Sequence, residues 1–190
     1  MDPLTRLLLD AQRGDRAALE RFVAESQHDV LAMCRYLGDP DNAEDLAQEA
    51  YERAFASLHR FRANGPAKHW LLTITRRTCA DAARRRARRR RTAQRVASLA
   101  QPSLEDPPPS VDSIELDDLV HILDDDRRAA FVLTQINGLH YDEAAELLGI
   151  PIGTIRSRVS RAREQLVAAL AEAEPRPGRE PEHRRRRPHA

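Results

Sequence analysis

The chain has 190 residues, enough for one ordinary domain or two small ones, and 41% of them are hydrophobic. Only 4% are aromatic, so any core must be built from aliphatic side chains. No stretch approaches the roughly 20 apolar residues that span a bilayer, and the first residues lack the basic start and apolar run of a signal peptide. These features argue against a membrane protein, and we expect a cytoplasmic one.

The net charge is only +1, but the charges are strongly segregated along the chain. Residues 60–100 contain 13 Lys and Arg and a single acid. Residues 101–126 contain nine acids and neither Lys nor Arg. A basic block followed by an acidic block is more informative about binding partners than the total charge is.

Apolar residues at helical spacing dominate the N-terminal half. They predict one helix that ends before Gly14 and a second that extends to Leu37. Asp41 followed by Glu44 is a capping-box variant, which predicts the start of a third helix. After a loop with the sequence RANGP, a long fourth helix is predicted over residues 67–91.

The C-terminal half shows the same periodicity, with helices predicted over residues 114–123, 126–136, 141–148 and 152–170. No segment alternates as a strand does. The Pro-rich, acidic stretch between the two halves predicts an extended linker, and the Arg- and Pro-rich C-terminus predicts disorder. The chain is therefore predicted to be all-α, with two small helical domains over residues 1–92 and 114–172, a flexible acidic linker over residues 93–113 and a tail over residues 173–190.

Sequence motifs of enzymatic and metal chemistry are missing. There is no Walker A stretch, no GxGxxG and no HExxH, and the seven histidines lack metal-ligand spacing. The three acids at residues 124–126 fit a helix N-terminus better than a metal site. Cys34 and Cys79 lie far apart without a CxxC, which favours buried free thiols over a disulfide or a zinc site. We expect no catalysis, metal, cofactor or small-molecule substrate.

The helix predicted from Ile152 has two different faces. At about 100° per residue, one sector of about 80° is apolar, and it contains Ile152, Ile155, Val159, Ala162 and Leu166. The opposite face carries Ser157, Ser160, Arg161 and Glu164, flanked by Arg156, Arg158 and Arg163. Arginine binds phosphates, and Arg and Ser also bind base edges. A solvated amphipathic helix is the alternative.

The preceding helix favours DNA binding over that alternative. Ala145, Gly149 and Ile155 have the spacing of a helix-turn-helix, with a small residue at the helix crossing, a Gly at the turn and a branched residue closing the core. In such a motif the second helix enters the major groove.

The whole stretch GLHYDEAAELLGIPIGTIRSRVSRAREQL resembles region 4 of the sigma-70 family of bacterial sigma factors, most closely the extracytoplasmic-function (ECF, group 4) class. The resemblance implies that this helix reads the promoter −35 element. The residues that it implicates are Tyr141, Thr154, Arg156, Ser157, Arg158, Ser160, Arg161 and Arg163. Position 140 departs from the pattern, because His replaces the usual capping Ser or Thr, and this predicts a looser helix start.

The stretch DNAEDLAQEAYERAF, over residues 41–55, resembles sigma region 2.2. By itself, an acidic stripe at i, i+3, i+4 and i+7 is most simply a solvated surface. The resemblance implies instead that it docks on the β′ clamp helices of core RNA polymerase, with Leu46 and Tyr51 holding the helix in place. The implicated stripe is Asp45, Gln48, Glu49 and Glu52.

The stretch FRANGPAKHWLLTITRRTCADAARRRARR, over residues 61–89, resembles sigma regions 2.3 and 2.4. The resemblance implies that it recognises and melts the −10 element through Asn64, Lys68, Arg76, Arg77, Arg84 and Arg85. Trp70 is assigned to the core. The loop ANGPAK departs from the family pattern, so the pocket for an unstacked base is expected to differ.

The resemblance covers residues 15–170 and implies a sigma factor. Its partners would be core RNA polymerase, through the β′ clamp helices and the β flap, promoter DNA, and in some cases an anti-sigma factor. The acidic linker would thread the polymerase cleft, with a plain spacer as the alternative. Two other classes remain open, a self-sufficient LuxR-like helix-turn-helix regulator and a helical DNA-processing enzyme.

Overall fold

The computed structural model describes residues 1–97 and 116–173, and the regular secondary structure within them is helical. The all-α prediction is therefore confirmed. Eight α-helices lie in these ranges: α1 (Pro3–Gln12), α2 (Arg16–Leu37), α3 (Ala43–Ser57), α4 (Ala67–Ala97), α5 (Leu116–His121), α6 (Asp125–Phe131), α7 (Tyr141–Leu148) and α8 (Ile152–Ala173).

Helices α1–α4 form the N-terminal module around one aliphatic core. Leu8 and Phe22 are fully buried, and Leu71 is 1% exposed. The chain start is tied to α4, because the Thr5 hydroxyl accepts a hydrogen bond from the Ala67 N–H at 2.8 Å. This contact fixes the beginning of the long helix on which most of the basic residues lie.

The start of α3 differs from the predicted capping box. The helix begins at Ala43, after a 3₁₀ turn over Pro40–Asn42, and no side chain caps it. The amide of Asn42 donates to the Asp39 carboxylate at 3.1 Å instead. The first turn still contains Glu44 and Asp45, whose negative charges are favourable at a helix N-terminus.

Gly38 ends α2 at a point where there is no room for a side chain. A Cβ built there would lie 2.5 Å from the Cys34 carbonyl oxygen, 2.8 Å from Leu46 Cδ1 and 3.3 Å from Cys79 Sγ. Its φ of −107° is open to any residue, so the constraint is steric. We expect Gly38→Ala to lower the free energy of unfolding by about 1–3 kcal/mol, as overpacking does.

Chemical denaturation of the purified protein measures this loss. Gly65→Ala is the matched control, because a Cβ there meets nothing within 4 Å. Equal stability of the two variants would show that the α2–α3–α4 junction is looser than described.

Helices α5–α8 form the C-terminal module. Val120, Leu133, Ile155 and Val159 are at most 1% exposed. Between α6 and α7 the chain makes a π-helical turn over Val132–Ile136. It then reverses direction at Asn137 and Gly138.

The two modules pack against each other, which the sequence did not predict. Met33 from α2 and Leu72 from α4 are fully buried in a cluster with Leu133 and Leu139. The buried Asn137 side chain donates to the Asp29 carbonyl oxygen at 2.8 Å. Helix α2 therefore packs with one face in the core of its own module and with another face against the C-terminal module.

The predicted domain boundaries stay a prediction. Helix α4 continues to Ala97, five residues past the predicted boundary at residue 92, and α5 starts at Leu116. Residues 98–115, which hold most of the predicted linker, and the tail from residue 174 lie outside the described residues. No helix in the described part of the chain is long and apolar enough to cross a membrane.

Candidate functional site

Helix α8 presents a polar face to solvent, as its periodicity predicts. Ile155, Val159 and Ala162 are at most 1% exposed and pack on α6 and α7. The opposite face is exposed and contains Arg156, Ser157, Ser160 and Arg161. Ile152 was predicted to be buried, and this prediction is wrong: it is 40% exposed, since the first turn of the helix extends beyond the core.

The connection between α7 and α8 is a tight helix-turn-helix. Gly149 has φ 68° and ψ 35°, a left-handed conformation that favours glycine. Its neighbour Ile150 donates to the Ala145 carbonyl oxygen at 3.1 Å, and Ala145 and Ile155 are both buried. The three spaced residues therefore have the positions that the motif requires.

The start of α7 is secured despite the His at the cap. The Glu143 carboxylate accepts a hydrogen bond from the His140 N–H at 2.8 Å, which is half of a capping box. The Glu143 N–H is bonded to the Asp142 carboxylate at 3.0 Å. The looser helix start that we predicted from His140 is therefore not observed.

The arginines of α8 fall into two groups. Arg158 is partly buried in an ion pair with Asp126, and Arg163 donates to the Gln135 side chain. Arg156 and Arg161 have no hydrogen-bonded or ionic partner among residues 1–97 and 116–173. Arg156 and Arg161 can therefore bind an external anion without breaking a contact to the described residues.

The remaining predicted −35 residues lie at the edge of this face. Tyr141 and Thr154 are partly exposed, and Tyr141 packs on the core of the module. The hydroxyl of Ser157 donates to the Thr154 carbonyl oxygen at 3.0 Å, and that of Ser160 donates to Glu164 at 3.0 Å.

The acids at residues 124–126 have three different partners. Asp124 caps α6, accepting from the Arg127 N–H at 2.8 Å, which confirms the helix-terminus interpretation. Asp125 pairs with Arg128 in the same helix at 3.2 Å. Asp126 pairs with Arg158 of α8.

The acidic stripe on α3 is not uniform. Asp45, Gln48 and Glu52 are exposed. Glu49 is only partly exposed, because it is paired with Arg53 at 2.6 Å and with Arg85 of α4 at 2.9 Å. Three of the four predicted residues can therefore contact a partner freely, and the fourth joins α3 to α4.

Leu46 and Tyr51 fix α3 in the N-terminal module as predicted. Leu46 is 6% exposed. The Tyr51 hydroxyl lies 2.8 Å from the Ser26 hydroxyl, and burial raises the pKa of Tyr51 to about 12. These two contacts hold the exposed stripe in a defined orientation.

Arg53 is the centre of an ionic network between α3 and α4. Its guanidinium donates to Glu49 at 2.6 Å and to Asp81 at 2.8 Å. The hydrogen bond from Arg53, followed by that from Arg84, lowers the pKa of Asp81, and Asp81 in turn raises the pKa of Arg53. Both groups therefore remain charged at neutral pH and hold the two helices in register.

The basic residues of α4 do not share one face. Lys68 pairs with Asp29 at 2.8 Å beside the module contact, Arg85 pairs with Glu49, and Arg86 pairs with Asp39 at 3.2 Å. At about 100° per residue, an outward stripe about 60° wide remains. It consists of Arg77, Arg84, Arg88 and Arg91, all of them exposed.

The sequence predicted two members of that stripe, Arg77 and Arg84, as −10 contacts. It did not predict Arg88 and Arg91. The spacing of i, i+7, i+11 and i+14 from Arg77 indicates one face of a helix and could have predicted the stripe. It was not recognised because other arginines surround these four. Arg76, which was also predicted, is partly buried at the side of the helix.

The loop before α4 is exposed at Asn64 and strained at Ala63, which has φ 50°. Behind the loop, the rings of Phe61 and Trp70 lie 5.2 Å apart. Trp70 packs against the N-terminal core, as predicted. No group of three or more potential metal ligands is found in the described residues.

Comparison with protein families gives two matches, one in each module. Residues 22–89 match sigma-70 region 2, and residues 113–166 match sigma-70 region 4. The first match covers most of α2, all of α3 and most of α4, and the second contains the helix-turn-helix.

Curated relatives match nearly the whole chain. The chain is 41% identical to the ECF RNA polymerase sigma factor SigC of Mycobacterium tuberculosis, over 92% of this chain and 93% of that protein. It is 32% identical to the RNA polymerase sigma-H factor of Pseudomonas aeruginosa, over 87% of this chain and 92% of that protein.

Two solved structures share the fold. One is CnrH in complex with the cytosolic domain of CnrY, with a TM-score of 0.65 and 27% identity over 92% of this chain and 100% of that one. The other is the sigma factor RpoE of Bartonella quintana in complex with the anti-sigma factor NepR, with a TM-score of 0.65 and 30% identity over 80% of this chain and 96% of that one.

Proposed function

The chain belongs to the sigma-70 family, in its extracytoplasmic-function class, and on this premise we propose that it carries core RNA polymerase to promoters with a −10 and a −35 element. The observation that supports this most strongly is that Arg156 and Arg161, on the second helix of a tight helix-turn-helix, are exposed and have no partner within the described part of the chain. In this role the protein supplies promoter specificity, and the polymerase supplies catalysis.

We assign polymerase docking to the exposed stripe Asp45, Gln48 and Glu52 on α3. A rigid helix fixed by Leu46 and Tyr51 offers carboxylates and an amide without an internal arginine partner. The β′ clamp helices are the expected partner. Glu49 supports the stripe by pairing with Arg53 and does not contact the partner directly.

We assign −10 binding to the outward stripe of α4 together with Asn64 in the preceding loop. Four guanidiniums along one side of a helix suit successive phosphates. Lys68 and Arg85 contribute only if they leave their ion pairs with Asp29 and Glu49. In the outward stripe, only Arg84 has to leave an ion pair, the one with Asp81. The other members of the stripe are Arg77, Arg88 and Arg91.

We assign −35 readout to Arg156, Ser157, Ser160 and Arg161, and phosphate contacts to Thr154, Arg158 and Arg163. The first set lies on the exposed face, where the second helix of such a motif meets base edges. The second set lies at its margins.

Contact with the polymerase β flap is assigned to an apolar patch at the far end of α8. Val167 is 65% exposed and Leu170 is 48% exposed, one helical turn apart. Ile122 is 45% exposed, and its carbonyl oxygen accepts a hydrogen bond from Gln165 at 3.0 Å, which places it beside them. Large exposed apolar side chains grouped in this way mark protein contacts.

An anti-sigma factor is a further proposed partner. One structural neighbour, RpoE, was solved with the anti-sigma factor NepR, and the other, CnrH, was solved with the cytosolic domain of CnrY. The chain aligns with 96% of the first and 100% of the second, and this similarity supports a regulator of the same kind.

A binding experiment separates this function from that of a self-sufficient regulator. We expect the protein with core polymerase to protect two short segments of a cognate promoter from nuclease, at the −35 and −10 positions. The protein alone is expected to give no such footprint. A strong footprint without polymerase would overturn the proposal in favour of a LuxR-like regulator.

Asp126 is expected to restrain DNA binding, because it holds Arg158 and places a negative charge beside the recognition helix. We expect Asp126→Asn to tighten binding to −35 DNA about threefold, the effect of one partly screened charge. Fluorescence anisotropy of labelled −35 DNA at two salt concentrations measures this change in affinity. The control is Asp125→Asn, whose carboxylate is 99% exposed and pairs within α6. The same gain in both variants would exclude a specific role for Asp126.

A further inference from the structure

The two cysteines meet inside the N-terminal module. Cys34 lies on α2 and Cys79 on α4, and their sulfur atoms are 3.9 Å apart. Their side chains are 0% and 1% exposed, and neither is bonded to another cysteine. The separation of 45 residues in sequence hid this pair, although the prediction of buried free thiols is confirmed.

We propose that Cys34 and Cys79 are a redox modification site, at which a hydroperoxide converts the two thiols into a disulfide that joins α2 to α4. The site lies in the core between α2 and α4, and neither cysteine belongs to the surfaces assigned to polymerase or DNA. It does not depend on the proposed function.

The geometry of the pair permits this bond. A disulfide has a sulfur–sulfur distance of about 2.0 Å, so the two atoms must approach by about 2 Å. Rotation about a Cα–Cβ bond from one staggered rotamer to another moves a sulfur atom by a distance of that order. The pair is in van der Waals contact already, so the chain entropy of bringing the two segments together is lost on folding and not during oxidation.

Each step of the reaction balances. The Cys79 thiolate attacks one peroxide oxygen, the O–O bond breaks, and a sulfenic acid and a hydroxide form, the latter taking up a proton to give water. The Cys34 sulfur then attacks the Cys79 sulfur, and the S–O bond breaks. A second water leaves with the Cys34 proton. The two thiols lose two electrons, and the peroxide gains them.

We assign Cys79 as the first nucleophile because its sulfur lies 3.3 Å from the Cβ position of Gly38, beside a partly exposed turn, and because its neighbour also favours its ionised form. The hydrogen bond with Cys34 lowers the pKa of Cys79, and the same bond raises the pKa of Cys34. The thiolate is the species that reacts with peroxide. Cys34 is then the resolving thiol, held 3.9 Å from the oxidised sulfur.

The route from solvent passes by Gly38. This residue is partly exposed, and the Cβ position at Gly38 lies 3.3 Å from Cys79 Sγ, so the turn is the neighbour of the pair on that side. The next residue, Asp39, is held by an ion pair with Arg86 at 3.2 Å that lacks hydrogen-bond geometry. Local opening of this short turn exposes the pair.

Intact-mass spectrometry after alkylation tests the proposal on the full chain. When the reduced protein is denatured and treated with N-ethylmaleimide, it is expected to carry two adducts, one on each cysteine. After hydrogen peroxide it is expected to carry none, to weigh two hydrogen atoms less than the reduced chain, and to recover both adducts after dithiothreitol. A tryptic peptide joining Cys34 to Cys79 identifies the bond in the wild-type protein itself, so no variant has to fold for this readout.

Two sets of variants sharpen the test. Cys34→Ser and Cys79→Ser are each expected to lose the intramolecular bond, and circular dichroism checks their fold. Arg86→Ala is expected to speed oxidation several-fold, whereas Arg89→Ala, at an exposed position of α4 outside the DNA-binding stripe, is expected to leave the rate unchanged. Two alkylatable thiols after peroxide, stepwise gain of oxygen without the loss of two hydrogens, or disulfides only between chains would each overturn the proposal.

Discussion

Replacing Arg156 and Arg161 together by Ala is expected to abolish −35-dependent promoter binding while leaving the fold intact. Both side chains are exposed and have no internal partner among the described residues, so their removal breaks no contact within the protein. Each good base contact contributes about 1–3 kcal/mol. The double variant should therefore bind cognate promoter DNA, in complex with polymerase, about 100-fold or more weaker.

Equilibrium binding of the reconstituted holoenzyme to promoters with intact and scrambled −35 elements measures this effect. The charge-matched control is Arg16→Ala with Arg21→Ala, two exposed arginines that pair within α2. We expect the control to bind as the wild type does. An equal loss on intact and scrambled promoters would show that the two arginines bind only phosphates, and an equal loss in the control would show a simple charge effect.

The second large effect is expected at the polymerase contact. Asp45→Ala, Gln48→Ala and Glu52→Ala in one chain remove an exposed stripe that has no ion pair among the described residues. The melting temperature should therefore fall only slightly, through the loss of the Asp45 charge from the first turn of α3. A few central residues carry most of the binding energy of an interface, at about 2 kcal/mol or more each when truncated, and we expect this stripe to contain them. The affinity for core polymerase should therefore fall about 100-fold or more.

Glu49→Ala is expected to behave differently from this triple variant. It leaves Arg53 and Arg85 without a shared carboxylate, so it should lower the melting temperature as well as weaken polymerase binding. Calorimetry and a competition assay for core polymerase separate the two effects. The control Glu20→Ala with Glu25→Ala removes two exposed acids of α2. If Glu49→Ala weakened binding with no loss of stability, Glu49 would be a direct contact and its structural role would be refuted.

Local patterns in the sequence predicted the helices and the helix-turn-helix. The spacing of Ala145, Gly149 and Ile155 is set within one motif, and a buried stripe such as Val159 and Ala162 follows from period 3.6 alone. The exposed part of the α3 stripe follows from the same periodicity.

Features that depend on contacts between helices were not predictable in this way. Glu49 looks like its neighbours in sequence, and only the approach of α4 pairs it with Arg85. Met33 and Leu72 are ordinary core residues by pattern, yet they pack against the other module. The meeting of Cys34 with Cys79 likewise depends on the crossing of two helices that are far apart in the chain.

Run-off transcription in vitro tests the central claim most directly. Core polymerase would be combined with a pool of genomic fragments, alone, with the wild-type protein, and with the Asp45/Gln48/Glu52 triple alanine variant. We expect discrete transcripts that require the wild-type protein and disappear with the variant. Transcripts that are the same without the protein, or that the triple variant supports fully, would contradict the account.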